Sequence, residues 1–314
     1  MANLLYQSNQ SLSTCFFNVS IFTPTYNRRS TIYRTYQSLK ALKLASPHIS
    51  FEWIIVDDGS SDNTEKLGEL WCKENQLPIR YFKQPNQGKH VAMNFAIENA
   101  RGEFWLTIDS DDTILPNALD LYINTWNSIE NKDVYCGVSA RCVDDSGNIV
   151  GTLLPHNPLD TTFTDLRFKY NIKGEMLEFY KVSILKQYPF PTYDSRMRFC
   201  PEAIVWHEIA KKYKLRVIDK ATRIYHFDAP TSIMREKNIR RSVSNYYLWL
   251  YYINNLSTYI FNNPMEIIKA YVGISMDGFN CGKSIKTILH DCNSTIKRLL
   301  VLILIPIGKI LSIK

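Results

Sequence analysis

Short segments rich in acidic and polar side chains follow apolar runs at several points in the first third of the chain. They are Tyr26-Asn27, Asp57-Asp58 and Asp109-Ser110-Asp111-Asp112. Five carboxylates in one crevice would repel one another unless a cation balanced them, and a divalent ion is the best candidate because it prefers oxygen ligands. The segments therefore predict a site for Mg²⁺ or Mn²⁺. A single Asp after a strand can instead act only as a helix cap, which is our interpretation of Asp62 and Asp120.

The apolar runs before these segments have the length and composition of buried strands. We predict strands over residues 19–23, 51–56, 79–83 and 104–108, with helices over about 30–44, 63–75, 89–100 and 116–129 between and after them. Short apolar strands that alternate with helices indicate an α/β fold whose sheet is mostly parallel and flanked by helices. Ligands of such sheets bind at the carboxyl ends of the strands, which is where the acidic segments lie.

The pattern changes after residue 134. Residues 134–143 and 149–154 flank a turn that contains Gly147 and predict a β-hairpin. Residues 155–191 are irregular and aromatic. A helix over about 201–213 and strands near 215–218 and 223–227 follow, and the chain beyond residue 238 is predicted to be helical.

Several common site motifs are missing from the chain. It has no G-x-G, P-loop or G-x-S-x-G sequence, which excludes the dinucleotide-binding, P-loop and serine-hydrolase classes that depend on them. His207-Glu208 begins like a zinc-protease motif, but Lys211 stands where the second His would be. The net charge of +7 is concentrated after residue 282, where six Lys and Arg accompany one Asp. The rest of the chain is close to neutral, so we expect no nucleic acid as a partner.

The stretch from residue 296 to 314 combines apolar and basic side chains. Its unbroken apolar run, residues 299–305, is shorter than the roughly 20 residues that a membrane span needs. The flanking Lys and Arg predict a peripheral contact with the inner face of the plasma membrane, although a helix docked on the protein or on a partner subunit would have the same composition. Scattered cysteines without C-x-x-C, and the lack of a signal-peptide pattern, predict a cytoplasmic location.

Four motifs occur in order in about the first 130 residues. They are VSIFTPTYN (19–27), IIVDDGSSD (54–62), NQGK (86–89, with Asn94 nearby) and GEFWLTIDSDD (102–112). Together they resemble the nucleotide-sugar domain of glycosyltransferase family 2. The resemblance implies a GT-A fold, a nucleotide-sugar donor, a divalent cation (Mg²⁺ or Mn²⁺) and inversion at the anomeric carbon.

The resemblance implies roles for individual side chains around the nucleobase of the donor. Pro24, Thr25 and Tyr26 would hold the base. Tyr26 can stack on the face of a uracil, and Asp58, or Asp57, can accept the proton on its N3 atom.

Other residues would contact the diphosphate, the ribose and the cation. Asp111 would hold the cation, with Asp109 or Asp112 assisting it or contacting the ribose. Lys89 is a candidate contact for the diphosphate, or a surface lysine. His226 is a candidate third metal ligand, or a core or surface histidine.

The resemblance also implies a base on the acceptor side, in a Glu-Asp pair before an apolar helix. The comparable stretch is FCPEAIVW (199–206), and Glu202 falls on the position of the base when Trp206 is aligned with a downstream tryptophan of the family. The pair reads Pro201-Glu202 here, so Glu202 could instead serve only as an N-terminal helix residue. The stretch Lys173-Gly174-Glu175 looks like a feature of related transferases that would line the acceptor cleft.

These expectations define a domain organisation and a function. Residues 1–235 would form the GT-A domain, with a nucleotide-sugar half over about 18–130 and an acceptor half over about 131–235, and residues 236–314 a helical extension with the basic and apolar tail. The function would be metal-dependent, inverting transfer of a sugar, most simply from a UDP-sugar, to a saccharide or lipid-linked acceptor in surface polysaccharide or glycoconjugate synthesis. Two alternatives remain open: a non-catalytic nucleotide-sugar or carbohydrate-binding module, and a membrane-tethered assembly protein.

Overall fold

The computed structural model describes residues 2–12, 16–228 and 239–312. The chain divides into two compact units. The first consists of Met1–Phe163, Ile172–Phe190 and Ile209–Pro230, and the second of Thr164–Asn171, Pro191–Glu208 and Thr231–Lys314. Where a domain boundary lies along the chain stays a prediction.

Ten strands from the described residues of the first unit form one mixed sheet. They are β1 (Asn3–Gln7), β2 (Phe17–Thr25), β3 (Phe51–Asp57), β4 (Ile79–Lys83), β5 (Gly102–Thr107), β6 (Thr113–Ile114), β7 (Tyr135–Val143), β8 (Leu159–Thr161), β9 (Met176–Lys181) and β10 (Lys214–Ile224). Their order is β1-β4-β3-β2-β5-β9-β7-β10-β6, and β8 pairs with β10. The central strands β4, β3, β2 and β5 are parallel, whereas β1 and β9 pair with them in the antiparallel sense.

The helices follow the strands in the order that the sequence predicts. They are α1 (Asn9–Leu12), α2 (Ile32–Ala45), α3 (Thr64–Glu74), α4 (Lys89–Glu98), α5 (Ala118–Asn127), α6 (Phe163–Phe168), α7 (Val182–Leu185), α8 (Ala203–Ile209), α9 (Ile239–Leu256), α10 (Pro264–Asn280), α11 (Ile285–Asp291) and α12 (Thr295–Ser312). Short 3₁₀ turns occur at Lys132–Val134 and Ser257–Phe261. In the described part of the chain, none of the helices has both the length and the apolar composition that a membrane crossing requires.

The strand β3 shows why these elements form a layered α/β core. Its residues are buried at every position, as expected for a parallel strand that is covered on both faces. On one face Trp53 packs near the stacked rings of Tyr36 from α2 and Trp71 from α3, whose centroids lie 4.4 Å apart. Ile54 and Val56 point to the other face and are fully buried. This packing fixes the strand and therefore the position of the acidic residues at its end.

The structure confirms the predicted α/β fold, with parallel strands at the centre of the sheet and helices at the C-terminal end of the chain. The prediction for residues 134–191 was partly wrong. Residues 149–154 do not form the second strand of a hairpin; only Val143 and Ile149 make an isolated antiparallel bridge. The partners of β7 are instead β9 and β10. The two strands predicted near 215–218 and 223–227 are one irregular strand, β10, whose pairing with β7 shifts register.

Candidate functional site

The three polar segments predicted from the sequence lie at neighbouring strand ends. Thr25 of β2 pairs with Asp57 of β3, and Phe22 of β2 pairs with Thr107 of β5. Residues 26, 58 and 109 therefore follow their strands at nearly the same level of the sheet. Because neighbouring strands are about 4.8 Å apart, the ends of β3, β2 and β5 span roughly 10 Å of one edge.

Hydrogen bonds tie the loop after β2 to the loop after β3. The backbone N–H of Asn27 donates to the hydroxyl of Ser60, and the N–H of Ser61 donates to the side-chain oxygen of Asn27, each over 2.8 Å. The N–H of Arg28 donates to the hydroxyl of Thr64 over 3.1 Å. Asn27 has a φ of 52°, a left-handed conformation that Asn tolerates better than most residues. The loops therefore form one hydrogen-bonded rim around the end of β2.

Asp58 organises the loop that carries the motif NQGK. Its carboxylate accepts hydrogen bonds from the backbone N–H groups of Gln87 and Gly88 and from the side-chain amide of Gln84, each over 2.8 Å. Its position links the end of β3 to the start of α4.

Asp57 is enclosed within the protein. Its side chain is completely buried, and its carboxylate accepts hydrogen bonds from the N–H of Ser60 and the hydroxyl of Tyr81, each over 2.7 Å. Burial, together with the negative charge of Asp57, raises the pKa of the Tyr81 phenol far above its usual value. Asp57 therefore stabilises the loop after β3 from the buried side. Of the two residues, Asp58 is the better placed to contact a ligand.

The segment at the end of β2 presents one large exposed side chain. Thr25 is buried and its backbone carbonyl accepts a hydrogen bond from the N–H of Asp58, whereas Pro24 is half-buried. The ring of Tyr26 is 48% exposed. An exposed aromatic ring beside a polar strand end is suited to stacking on a planar base.

Each carboxylate of the segment 109–112 has a cationic partner in the protein. The pairs are Lys89 Nζ with Asp109 Oδ1 at 2.8 Å, Arg28 Nη2 with Asp111 Oδ2 at 3.8 Å, and Arg223 Nη1 with Asp112 Oδ2 at 3.1 Å. The Arg223 pair is buried, and the N–H of His226 also donates to Asp112 over 3.3 Å. The protein itself therefore supplies part of the positive charge that the acidic cluster requires.

The three carboxylates differ in how well the protein stabilises their charge. Burial opposes the charged form of Asp109, but Lys89 outweighs that effect and holds its pKa below the usual value. Burial and the charge of Asp109 raise the pKa of Asp111, with Arg28 opposing them only in part. Burial raises the pKa of Asp112 to about 7, against the attraction of Arg223. Asp111 is thus a half-buried carboxylate whose charge is incompletely balanced.

The donor set fits a divalent cation that also binds a ligand. No group of three His, Cys, Asp or Glu side chains forms a ready-made metal cage within the described ranges. Mg²⁺ needs no such cage, because it commonly takes one or two carboxylates and completes its coordination with phosphate oxygens and water. Asp109 and Asp111, two residues apart at a strand end, supply hard oxygen ligands of this kind.

His226 is held by the protein through both nitrogens of its ring. Nδ1 lies 2.5 Å from the carboxylate of Asp145, and Nε2 lies 2.9 Å from the hydroxyl of Thr113. To bind a metal ion, His226 would have to replace its Nε2 contact with Thr113 or its Nδ1 contact with Asp145 by a bond to the metal.

Arg28 and Arg223 belong to the site but are not among the residues predicted from the sequence. Arg28 could have been found, because it directly follows the strand-end motif and carries a charge opposite to the acidic cluster. Arg223 carries no local signal, since it lies on β10, far along the chain from Asp112. Its contact depends on the antiparallel pairing of β6 with β10, which brings Arg223 opposite Ile114.

The remaining predicted residues lie elsewhere along the chain. Glu202 belongs to the second unit, where it directly precedes α8 and its backbone carbonyl accepts hydrogen bonds from Val205 and Trp206 over 3.0 Å. Its place before α8 fits the predicted role as a helix N-terminal residue, and its role as the base stays a prediction. Glu175 belongs to the first unit, with its carboxylate 3.4 Å from Arg223 and its side chain 52% exposed.

The chain resembles known proteins in sequence over more than half of its length. Residues 20–188 match the family described as Glycosyl transferase family 2. An uncharacterized glycosyltransferase of Rickettsia felis is 24% identical over 252 residues, which are 78% of this chain and 37% of that protein. The GalNAc(5)-diNAcBac-PP-undecaprenol beta-1,3-glucosyltransferase of Campylobacter jejuni is 27% identical over 222 residues, which are 68% of this chain and 66% of that protein. The chain thus spans little more than a third of the length of the Rickettsia felis relative.

Solved structures resemble the chain in fold. TarS of S. aureus, residues 1–349 with UDP-GlcNAc, aligns with a TM-score of 0.59 and 17% identity over 93% of this chain and 80% of that one. The mannosyltransferase PcManGT of Pyrobaculum calidifontis, with GDP-Man and Mn²⁺, aligns with a TM-score of 0.54 and 17% identity over 96% and 82% of the two chains. At this level of identity the likeness establishes the fold alone.

Proposed function

The chain belongs to glycosyltransferase family 2, and we propose that it transfers a sugar from a nucleotide-sugar donor to a saccharide or lipid-linked acceptor. The observation that carries the proposal is the register of the sheet, which brings Tyr26, Asp58 and Asp109 to one edge. The relative from Campylobacter jejuni supports the choice of acceptor, because its name contains a saccharide linked through PP to undecaprenol. The product of the proposed reaction would belong to a surface polysaccharide or glycoconjugate.

The nucleoside of the donor would bind at the ends of β2 and β3. Tyr26 stacks on the base beside the segment of Pro24 and Thr25, and Asp58 accepts the N3 proton of a uracil, with Asp57 supporting it. The exposure of Tyr26 and the position of Asp58 directly after β3 support these roles. A UDP-sugar is the donor that we propose, because uracil, unlike cytosine, has an N3–H group that can donate a hydrogen bond to a carboxylate.

The diphosphate would bind beside the acidic segment. Asp111, assisted by Asp109 or Asp112, would hold a Mg²⁺ or Mn²⁺ ion, and His226 is a secondary candidate ligand. When bound, the ion stabilises the negative charge that develops on the leaving diphosphate. Lys89 contacts the diphosphate by exchanging its ion pair with Asp109 for a phosphate oxygen, which leaves that carboxylate available for the ion or the ribose.

The acceptor hydroxyl needs a base, for which we propose Glu202. Its carboxylate takes the hydroxyl proton while the oxygen attacks the anomeric carbon from the face opposite the nucleotide. One C–O bond forms as the bond to the diphosphate breaks, so the configuration at that carbon inverts. Residues 131–235 would form the acceptor half, with Lys173-Gly174-Glu175 lining its cleft.

The proposed location is the cytoplasmic side of the plasma membrane, with the enzyme bound peripherally through residues 296–314. A lipid-linked acceptor would be presented there, and a nucleotide-sugar donor would reach the enzyme from solution. The exposed apolar and basic side chains of α12 support this location.

A panel of UDP- and GDP-sugars, incubated with the protein and Mg²⁺ or Mn²⁺, tests the function. We expect release of the nucleoside diphosphate from at least one UDP-sugar, and faster release when a suitable acceptor is added. Binding of a UDP-sugar without release or transfer would favour the alternative of a non-catalytic binding module, which could dispense with a base such as Glu202.

Replacing Tyr26 with Ala is expected to raise the KM for the donor about 5- to 100-fold, because stacking on an aromatic ring contributes roughly 1–3 kcal/mol per base. The kcat should change much less, since the ring contacts the base in the ground state and the transition state alike. Steady-state kinetics with varied donor concentration measure both values.

Tyr33→Ala is the matched control for Tyr26→Ala. Tyr33 lies on α2 and is 54% exposed, close to the exposure of Tyr26, but it does not follow a strand end. An unchanged donor KM in Tyr26→Ala, or an equal increase in Tyr33→Ala, would contradict the proposed base-stacking role.

A further inference from the structure

The helix α12 of the second unit has two apolar faces, one buried and one exposed. Val301, Ile305 and Gly308 form the buried stripe. The exposed apolar residues are Ile296, Leu299, Leu300, Leu302, Ile303, Ile307, Ile310 and Leu311. With 3.6 residues per turn they cover about half of the helix circumference, on the side away from the buried stripe. A helix with two apolar faces requires an apolar partner on each, and the buried stripe accounts for only one of them.

The contact between α12 and α10 shows which surface continues this apolar face. A Cβ atom added to Gly308 would lie 2.9 Å from the carbonyl oxygen of Val272 and 3.0 Å from the N atom of Met276, so the two backbones approach closely there. On α10 these residues share a helical stripe with Met265 and Ile268.

Met265 and Ile268 remain exposed at the end of that stripe. The stripe includes Val272 and Met276, which α12 approaches at Gly308, so its exposed end continues along α10 from that contact. We define the apolar face as the exposed apolar side chains of α12 together with Met265 and Ile268. All of them belong to the second unit.

Length and charge identify the occupant of this face. Residues 299–308 contain no charged side chain and, at 1.5 Å per residue, extend about 15 Å, which is half the thickness of a bilayer core. Arg298 and Lys309 flank this segment and are exposed, and α12 contains no Asp or Glu. A second copy of the chain would bring two sets of like charges together without an acidic partner on the helix. An anionic lipid surface complements both the apolar face and its cations.

We propose that the apolar face lies in a single leaflet of an anionic membrane, with its apolar side chains at the acyl boundary and Arg298 and Lys309 at the headgroups. This inference rests on the proposed function only for the choice of membrane. It goes beyond an anchor formed by the tail alone, because it assigns the exposed end of α10 to the same contact. The second unit would therefore meet the lipid through two helices rather than through one mobile segment.

Sedimentation with lipid vesicles tests the proposal on the full chain. We expect binding to vesicles of phosphatidylcholine with phosphatidylglycerol, and weaker binding to phosphatidylcholine alone. Ile303→Asp should lower the partition coefficient about tenfold or more, because burial of an Ile side chain contributes about 1.5–3 kcal/mol and 1.4 kcal/mol is a factor of ten. The double variant Met265→Ser with Ile268→Ser should also bind more weakly. Lys309→Gln should weaken binding roughly fivefold on anionic vesicles only.

Leu44→Asp is the matched control, because Leu44 lies on α2 of the first unit and is 82% exposed. Equal vesicle binding of the wild-type protein and Ile303→Asp would overturn the proposal. So would a lipid-free dimer that dissociates in Ile303→Asp, measured by light scattering, since the face would then be covered by a second copy. Unchanged binding in the α10 double variant would overturn the two-helix contact.

Nucleotide-sugar hydrolysis without vesicles separates this inference from the proposed function. A protein that hydrolyses a UDP-sugar but ignores vesicles would contradict the membrane contact alone. A protein that binds vesicles through the apolar face but turns over no nucleotide-sugar would contradict the enzymatic proposal alone.

Discussion

Asp111→Asn is expected to lower kcat/KM for nucleotide-sugar turnover about 10²- to 10³-fold, the loss typical when one group that stabilises developing charge is removed. The amide keeps the size of the side chain but removes the anionic oxygen proposed to hold the cation. EDTA should inhibit the wild-type protein to a similar extent, and Mn²⁺ or Mg²⁺ should restore its turnover. Steady-state rates at several metal concentrations measure both effects, and the variant should need more metal for its residual activity.

The same substitution should not destabilise the folded protein. Burial and the neighbouring Asp109 raise the pKa of Asp111, which means that the folded state disfavours its charged form. Removing that charge should leave the free energy of unfolding unchanged or slightly higher, as measured by denaturant titration without metal. A loss of stability that parallels the loss of turnover would indicate a structural role for Asp111.

Asp133→Asn provides the matched control for Asp111→Asn. Asp133 is exposed and lies just before β7. Because β7 and β5 run parallel, Asp133 at the start of β7 lies at the sheet edge opposite to Asp111, which follows the end of β5. Its turnover and metal requirement should match those of the wild-type protein. Full turnover of Asp111→Asn in EDTA would remove both the residue and the cation from the proposed mechanism.

The strand-end segments could be predicted because their signal is local. An apolar run buried at every position, such as β3, can end only where polar residues begin, and the parallel order of β3, β2 and β5 then aligns the ends. The ion pairs of the acidic segment could not be predicted in the same way. The guanidinium that pairs with Asp112 comes from β10, and nothing near Arg223 in the sequence marks that contact.

The errors between residues 134 and 191 have two physical causes. β9 was missed because Glu178 and Lys181 interrupt its apolar run, although both are only half-buried and the remaining positions of the strand are buried. The hairpin prediction was wrong because the chain turns away from the direction of β7 at residue 151. An added Cβ on Gly151 would lie 2.1 Å from the carbonyl oxygen of Lys173, so the chain there packs against another backbone segment instead of returning along β7.

The ion pairs also change the argument for a cation. The sequence alone predicts that five crowded carboxylates need a cation from outside the protein to balance their charge. In the structure, Lys89, Arg28 and Arg223 form ion pairs with the three carboxylates of the segment 109–112. Under the proposed function, a divalent ion would be needed mainly for the incoming diphosphate, which would add negative charge beside Asp111. On this argument the free protein should bind the cation weakly, and the nucleotide should increase its affinity.

Glu202→Gln is expected to lower kcat for transfer to an acceptor about 10²- to 10⁴-fold, the range for loss of a general base. The donor KM should stay within about twofold, because the substitution changes no residue of the proposed donor site. A lower kcat with an unchanged KM indicates a group that acts only in the transition state. Acceptor-dependent release of the nucleoside diphosphate, measured at saturating donor, gives the rate. Binding of the donor, measured by calorimetry, should be unchanged.

Two variants decide between Glu202 and other interpretations of a loss in rate. Glu208→Gln makes the same chemical change within α8, the helix that Glu202 precedes, and should retain transfer, which shows that a Glu-to-Gln change in this part of the second unit does not by itself disturb the unit. Glu175→Gln tests an exposed carboxylate of the predicted acceptor region that belongs to the first unit. Full transfer activity in Glu202→Gln would remove it as the base and leave its place at the start of α8 as its role. A loss of transfer in Glu175→Gln, with donor binding retained, would then indicate that Glu175 of the first unit removes the proton. Neutralising the base should abolish transfer without weakening donor binding.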